Sequence, residues 1–270
     1  IEEYQVTINL SPNDSEAYNY LGEEYEELKN YQQAMKSFRA AVKNKPAYYK
    51  ARLNIAKLHR LLGDSKQAVL ELKELIKLSS KTIKLNKVQE ANLLVELGSN
   101  YYVLSEYTNA IPILIKAVEI ADKLGDRSKY LHLVAIRNLG NAYYAVENYD
   151  KALHVDKQGE SISKGLYGKS NLGHVYALKR LGETSYAMKN YSEANFYFTA
   201  AVKIHKIQDH INSAKYLALI TWLGHVNYAS ANYLEAESHY LEAIQIHKNQ
   251  KDIHSASYVD LLNNLGNAKY

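Results

Sequence analysis

Five polar side chains near the middle of the 270-residue chain have the types and spacing for ligand chemistry. Arg137, Asn138 and Asn141 lie within one short stretch, and Lys179 and Arg180 follow 42 residues after the first two. An asparagine amide donates and accepts hydrogen bonds, as an extended peptide backbone does. Arginine and lysine pair with carboxylates. These residues predict a site where amides fix a peptide and cations select acidic side chains or a terminal carboxylate, with solvated surface charge as the alternative.

The chain carries few signals for catalysis or metal binding. It has 10 His and no Cys, which excludes disulfides and thiolate metal sites. His205 and His247 are 42 residues apart and do not form the i, i+4 pair of a helical metal site. A glycine-rich phosphate loop, a nucleophile elbow and a zinc-protease helix are absent from the sequence. We therefore expect no enzyme activity, no metal and no cofactor.

The composition favours helices joined by short turns. Hydrophobic residues make up 47% and charged residues 23%, while Gly and Pro number only 12 and 3. A sandwich or barrel would need more turn residues. The net charge of +4 is spread without long runs, so we expect no nucleic-acid partner. No apolar run is long enough to insert into a membrane, and we expect a cytoplasmic protein.

A Leu-Gly pair recurs every 42 residues, and a fixed period of this size is typical of a solenoid. The leucines of the pairs are Leu97, Leu139, Leu181, Leu223 and Leu265. Upstream, Leu21-Gly22 is followed 34 residues later by its equivalent Ile55-Ala56. In most copies a Tyr lies ten residues after the Leu, and an Ala lies three further on. These spacings predict two helices per repeat, brought close together by the small residues.

The first copy resembles the tetratricopeptide repeat. It has Tyr18, Leu21-Gly22 and Tyr25, then Ala34 and Phe38, with Tyr in the place of the motif's Trp. Later copies are similar to the 42-residue repeats of kinesin light chains, Pins-type adaptors and bacterial repeat proteins. The resemblance implies an all-α fold, a right-handed superhelix (α-solenoid) of antiparallel helix pairs.

This resemblance predicts a single array over residues 1–270. The expected repeats are 15–48, 49–90, 91–132, 133–174, 175–216 and 217–258, with the start of a seventh at 259–270. Because the chain begins at Ile1 and stops within a repeated motif, we expect a piece of a longer protein.

The resemblance also implies where a ligand would bind. In the family the first helix of each repeat lines a concave groove, at positions two and one before the Leu and two and five after it. The candidate groove residues are Arg137, Asn138, Asn141, Tyr144, Lys179, Arg180, Tyr186, Trp222, His225, Tyr228, Asn263 and Asn267. The tyrosine five residues after the Leu, from Tyr102 to Tyr270, is either a stacking ladder for a ligand or a packing element between repeats.

These observations lead to one main hypothesis and two alternatives. The main one is a non-enzymatic scaffold that binds a protein or peptide partner in the groove. In the first alternative, by similarity to bacterial peptide-pheromone receptors, the repeats sense a peptide and control an attached effector domain. In the second, the chain is a structural module that assembles with a second copy of itself through the uncapped carboxyl-terminal end.

Overall fold

The computed structural model describes residues 1–208, 210–211 and 213–269, and for Arg127 the backbone only. Tyr270 lies outside the described residues. The helices are α1 Glu2–Leu10, α2 Ser15–Glu27, α3 Tyr31–Asn44, α4 Tyr49–Leu61, α5 Ser65–Lys81, α6 Lys87–Val103, α7 Tyr107–Leu124, α8 Lys129–Ala145, α9 Tyr149–Tyr167, α10 Leu172–Ala187, α11 Tyr191–Ile207, α12 Ala214–Ala229, α13 Tyr233–Asn249 and α14 Ala256–Lys269. A 3₁₀ turn, Gly125–Ser128, precedes α8. The described residues contain no strand, and the predicted all-α fold class is confirmed.

The chain forms two compact units, Ile1–Ala142 and Tyr143–Tyr270, with the boundary inside α8. Within each unit, helices that follow one another along the chain pack together. Helix α1 packs on α2, where Tyr4 stacks on Tyr20 with ring centroids 5.6 Å apart. The repeat pattern does not predict α1, because this helix has no buried residues and so no apolar face to reveal it.

The Leu-Gly pair brings the two helices of a repeat into close contact. A Cβ atom added at Gly22 would lie 2.5 Å from the ring of Phe38, and one added at Gly182 would lie 2.7 Å from the ring of Phe198. The side chain on the second helix therefore rests directly on the backbone of the first. On the second helix, the alanine three residues after the initial tyrosine has no exposed surface. These alanines are Ala34, Ala110, Ala152, Ala194 and Ala236.

The turn inside each repeat has the same backbone conformation. The eighth residue after the Leu has a positive φ between 57° and 83° at Lys29, Gly63, Ser105, Glu147, Lys189 and Ala231. This left-handed residue ends the first helix, and the next residue donates its N–H back to the helix, as Asn30 does to Tyr25 O at 2.8 Å. The Asn30 side chain also accepts from the N–H of Gln33 and caps the second helix. Five of the six turns hold this conformation without glycine, which accounts for the low glycine content.

Aromatic rings fill the junctions between the second helix of one repeat and the first helix of the next. His205 contacts Tyr216 with ring centroids 6.0 Å apart, and His247 contacts Tyr258 at 5.8 Å. Both histidines are 2% exposed. Their 42-residue spacing therefore reflects equivalent packing positions in successive repeats.

Burial lowers the pKa of three junction histidines, because desolvation penalises the charged imidazolium. These are His132, His174 and His205. Carboxylates oppose the effect at the first two, Asp122 at His132 and Glu160 at His174. Both ring nitrogens of His205 lack a hydrogen-bond partner among the described residues. Neutral rings are therefore part of the packed junctions.

We expect Gly182→Ala to destabilise the chain by about 1–3 kcal/mol, because the new methyl group overlaps Phe198. Gly165→Ala is the matched control. Its site lies inside α9 with no atom within 4 Å, so better helix propensity should stabilise the chain by up to about 1 kcal/mol. Urea unfolding measures both values. Equal effects of the two substitutions would contradict the close-contact explanation.

We also expect the chain to lose stability as the pH falls below about 6.5, the ordinary histidine pKa. The unfolded chain takes up protons there while the buried rings resist protonation, so acid favours unfolding. The urea midpoint should be lower at about pH 5.5 than at about pH 7.5. His205→Leu should reduce this difference, and the same change at exposed His254 should not. An equal pH dependence in wild type and His205→Leu would contradict the prediction.

Candidate functional site

Three of the predicted groove residues lie together in the first unit. Arg137, Asn138 and Asn141, all on α8, line a cavity of about 460 Å³. Helices α4 and α6 supply the rest of its wall, including Ser99 and Tyr102. First helices of three successive repeats thus meet at one cavity.

The wall of this cavity carries more positive than negative charge. Lys57, Arg60 and Arg137 face one carboxylate, that of Glu96. Arg60 Nη2 and Glu96 Oε2 are 3.2 Å apart and form an ion pair. Three cations and one carboxylate leave a formal excess of two positive charges at the wall. An acidic group in a ligand would complement it.

Hydrogen bonds fix the orientation of one asparagine in the cavity. Asn138 Nδ2 donates to Ser99 Oγ at 2.7 Å, and Ser99 Oγ donates to the carbonyl oxygen of Val95 at 2.6 Å. The chain of two bonds joins α8 to α6. It holds the amide in a defined direction, so that its remaining hydrogen-bonding capacity is presented in one geometry.

In the second unit, the predicted cations Lys179 and Arg180 are paired within the chain, which corrects their expected role as charges available to a ligand. Lys179 Nζ forms an ion pair with Glu183. Arg180 Nη1 donates to Glu183 Oε2 at 3.0 Å. One carboxylate, on the same face of α10 at i+4 and i+3, thus pairs with both cations.

Arg180 belongs to a buried polar cluster that the sequence analysis did not assign. Its guanidinium lies 4.7 Å from the ring centroid of Tyr144 and 3.7 Å from Asp156 Oδ2. Thr184 Oγ1 donates to the same Asp156 oxygen at 2.7 Å. Burial raises the pKa of Asp156, while Arg180 and Thr184 act in the opposite direction. The signal for this cluster is the carboxylate at position 156, where Leu114 stands one repeat earlier.

The predicted tyrosines of the groove pack against other side chains of the chain, and Tyr144 and Tyr186 contact Arg180 and Trp222 of the next repeat, respectively. Each contacts the tyrosine that begins the following helix, with ring centroids 5.3 to 5.5 Å apart. The pairs are Tyr102–Tyr107, Tyr144–Tyr149, Tyr186–Tyr191 and Tyr228–Tyr233. This geometry favours the packing explanation of their regular spacing over a ligand-stacking ladder.

Trp222 and His225 line a second cavity, of about 400 Å³, between α12 and α14. Trp222 stacks on Phe198 with ring centroids 5.5 Å apart and an interplanar angle of 8°. His225 Nδ1 lies 3.0 Å from the Tyr240 hydroxyl, and burial lowers the pKa of His225. Both side chains are therefore held in place by the core while bordering the cavity.

The last two predicted residues lie apart from this cavity. Asn263 and Asn267 are exposed on α14 and do not line the cavity, whereas Asn264 does. Asn264 stands one residue before Leu265, at a place that is itself one of the groove positions that the family resemblance implies. In the part of the chain that the structure describes, no group of three or more His, Asp or Glu side chains has metal-binding geometry. None of the helices in these described residues is both long and apolar enough to cross a membrane.

Family models identify the repeats. Three models, each described as tetratricopeptide repeat, match residues 15–48, 49–82 and 89–164. The chain belongs to the tetratricopeptide repeat superfamily, as its Leu-Gly period predicted. Membership indicates a protein–protein interaction scaffold in general, with proteins as partners.

Individual relatives share the fold at low identity. Superkiller protein 3 of Schizosaccharomyces pombe is 30% identical over 120 residues, which are 44% of this chain and 9% of that protein's length. A solved kinesin-light-chain-like protein of Podosopora anserina with nearly identical TPR-like repeats has a TM-score of 0.68 at 18% identity, covering 77% of this chain and 98% of its own.

A signal-transduction ATPase with a tetratricopeptide repeat sensor, from Pyrococcus horikoshii, has a TM-score of 0.71 at 18% identity. It covers 98% of this chain and 39% of its own. At this identity the likeness to both solved structures concerns the fold alone.

We expect Arg180→Met to lower the free energy of unfolding by about 3 kcal/mol, because the buried Asp156 carboxylate loses its cation. Adding Asp156→Leu should recover most of the loss, since leucine occupies the equivalent positions in two earlier repeats. Arg39→Met, at an exposed site on α3, is the control and should change little. A stable Arg180→Met single variant in urea unfolding would show that the cluster does not hold the fold.

Proposed function

We propose that the chain binds an acidic peptide segment of a partner protein in the cavity of the first unit. The observation that carries the proposal is the convergence of first-helix residues from three repeats on that single cavity. Most of these residues, Arg137, Asn138 and Asn141 among them, occupy groove positions that the family resemblance predicts. Side chains that differ from one repeat to the next therefore lie together in this cavity.

Two kinds of contact would hold the segment. Asn138 and Asn141 would bond to its main chain, because amides can both donate to and accept from peptide groups. Arg137 and Lys57 would attract an acidic side chain or a terminal carboxylate. Val95 and Val134 provide apolar surface beside these polar groups. This mixture of an apolar wall and a few placed polar groups is typical of ligand sites.

The roles of the second-unit residues differ in this proposal. Lys179 and Arg180 hold Glu183 and the Asp156 cluster, and so contribute structure more than charge selection. Tyr144, Tyr186 and Tyr228 close the turns of their repeats. The proposed acidic-peptide site is accordingly confined to the first unit.

The test is selection of peptides from a random displayed library on the immobilised 270-residue chain. We expect enrichment of Asp and Glu, or of acidic carboxyl termini. The Arg137→Glu, Asn141→Ala double variant should bind the selected peptides at least about tenfold more weakly, since losing one charged hydrogen bond costs about 1.5–3 kcal/mol. Fluorescence anisotropy measures the affinities.

The matched control is Arg39→Glu, which makes the same charge change at an exposed site away from the cavity. It should leave the affinity unchanged. A selection without acidic enrichment, or a double variant that binds as wild type does, would disprove the proposed site. Because the site is charged, binding should also weaken as salt is added.

A further inference from the structure

Two cavities of the second unit lie on either side of α12. The first lies between α12 and α14 and has a volume of about 400 Å³, and the second lies between α10 and α12 with about 330 Å³. Ala214 and Ala218, both on α12, line both cavities. Ala214 and Ala218 therefore form the part of α12 that the two cavities share.

Comparison of the copies shows why the space exists. The residues 42 positions before Ala214 and Ala218 are Leu172 and Tyr176, on α10. These larger side chains occupy the corresponding part of their own helix, and they line the cavity between α10 and α12. Replacement of leucine and tyrosine by two alanines removes side-chain volume beside α12, which leaves space on both of its sides.

The two cavities differ in charge. Lys179 and Lys215 border the cavity between α10 and α12, whose other walls are mainly apolar. Lys179 is paired with Glu183, while exposed Lys215 has no ion pair among the described residues. The cavity between α12 and α14 is bordered by Asp260. A ligand that spans both would therefore bind best in one direction, with its acidic end near the lysines.

A buried polar atom in the wall of the α12–α14 cavity gives independent support for a ligand. The His247 side chain is 3% exposed and lines this cavity. Its Nδ1 lies 3.1 Å from Asp252 Oδ2, and a carboxylate can only accept, so Nδ1 carries the proton. Its Nε2 has no hydrogen-bond partner in the described part of the chain. Buried polar atoms are normally paired, so an unpaired one in a cavity wall suits a donor from outside.

We propose that the second unit binds an amphipathic helix of a partner protein, with one large aliphatic side chain in each cavity. Packed helix axes lie about 8–10 Å apart, so we infer a similar separation for the centres of the two cavities that flank α12. Residues i and i+7 of a helical ligand lie on one face about 10.5 Å apart. In a strand, residues on one face are about 6.7 or 13.4 Å apart and do not match.

Charge fixes the direction of this helix. An acidic side chain lies beside the aliphatic residue that enters the α10–α12 cavity, near Lys215. A basic side chain lies beside the residue that enters the α12–α14 cavity, where it pairs with Asp260 and donates to the unpaired His247 Nε2. The inference shares with the proposed function only the premise that the chain is a protein-binding scaffold, and its site lies in the other unit.

The test uses a fluorescein-labelled, alanine-based helical peptide with two leucines at i and i+7, Glu next to the first and Lys next to the second. We expect the 270-residue chain to bind it, measured by fluorescence anisotropy. The Ala214→Leu, Ala218→Tyr double variant should bind at least about tenfold more weakly. Its larger side chains fill the cavities, so the leucines of the peptide can no longer be buried there. α10 carries the same pair in the equivalent places, so the variant should fold, and circular dichroism verifies this.

Three controls separate the possible outcomes. Ala256→Leu, at the exposed equivalent position one repeat later, should leave binding unchanged. Lys215→Glu should weaken binding of this peptide but not of one with Gln in place of Glu. The Arg137→Glu, Asn141→Ala variant should bind the helical peptide normally, which distinguishes failure of this inference from failure of the first-unit site.

Several results would overturn the inference. They are no binding by the wild-type chain, equal binding by the cavity-filled variant, and equal binding of a peptide whose leucines are four residues apart. Sedimentation that shows self-association abolished by the cavity-filled variant, without peptide binding, would assign the surface to a second copy of the chain and would also overturn it.

Discussion

The fold depends on close contact between the two helices of a repeat, which in four repeats is made by a second-helix side chain that lies on a glycine of the first helix. Phe38 lies on Gly22 and Phe198 lies on Gly182 so closely that a methyl group on either glycine would overlap the ring. This contact sets the separation of the two helices in a repeat. The fully buried alanines, the closed turns and the tyrosine pairs all presuppose that separation. The side chain at this contact nevertheless varies, since Phe38, Leu114 and Phe198 lie on a glycine while Asp156 stands at the equivalent position of the fourth repeat.

The 42-residue period made the helix pairs predictable, because the Leu-Gly pair, the Tyr and the Ala make the same kind of packing contact each time they recur. Helix α1 was not predictable in this way, since it buries no residue and lacks the motif. The pairing of Glu183 with Lys179 and Arg180 could have been read from i+4 and i+3 spacing. The contribution of Asp156, 28 residues from Thr184, needed the three-dimensional structure.

The candidate sites were predicted in part. The family resemblance predicted Arg137, Asn138 and Asn141 as groove residues, and all three line one cavity, because groove positions follow directly from the helix period. The second-unit cavities exist because Ala214 and Ala218 have small side chains. Alanine has no reactive group, so the residue types alone gave no sign of these cavities. Comparing equivalent positions between copies would have revealed them.

The turns inside the repeats and the junctions between them differ in their mechanical character. Each inner turn is closed by backbone hydrogen bonds, with a side-chain cap in three repeats and a tyrosine pair in four, so the two helices are stiffly connected. Side-chain contacts dominate at the junctions, where rings such as His205 and Tyr216 meet. Within each unit, elastic compliance is therefore concentrated between repeats, and bending strain would be absorbed by the aromatic contacts there while the helix pairs keep their geometry.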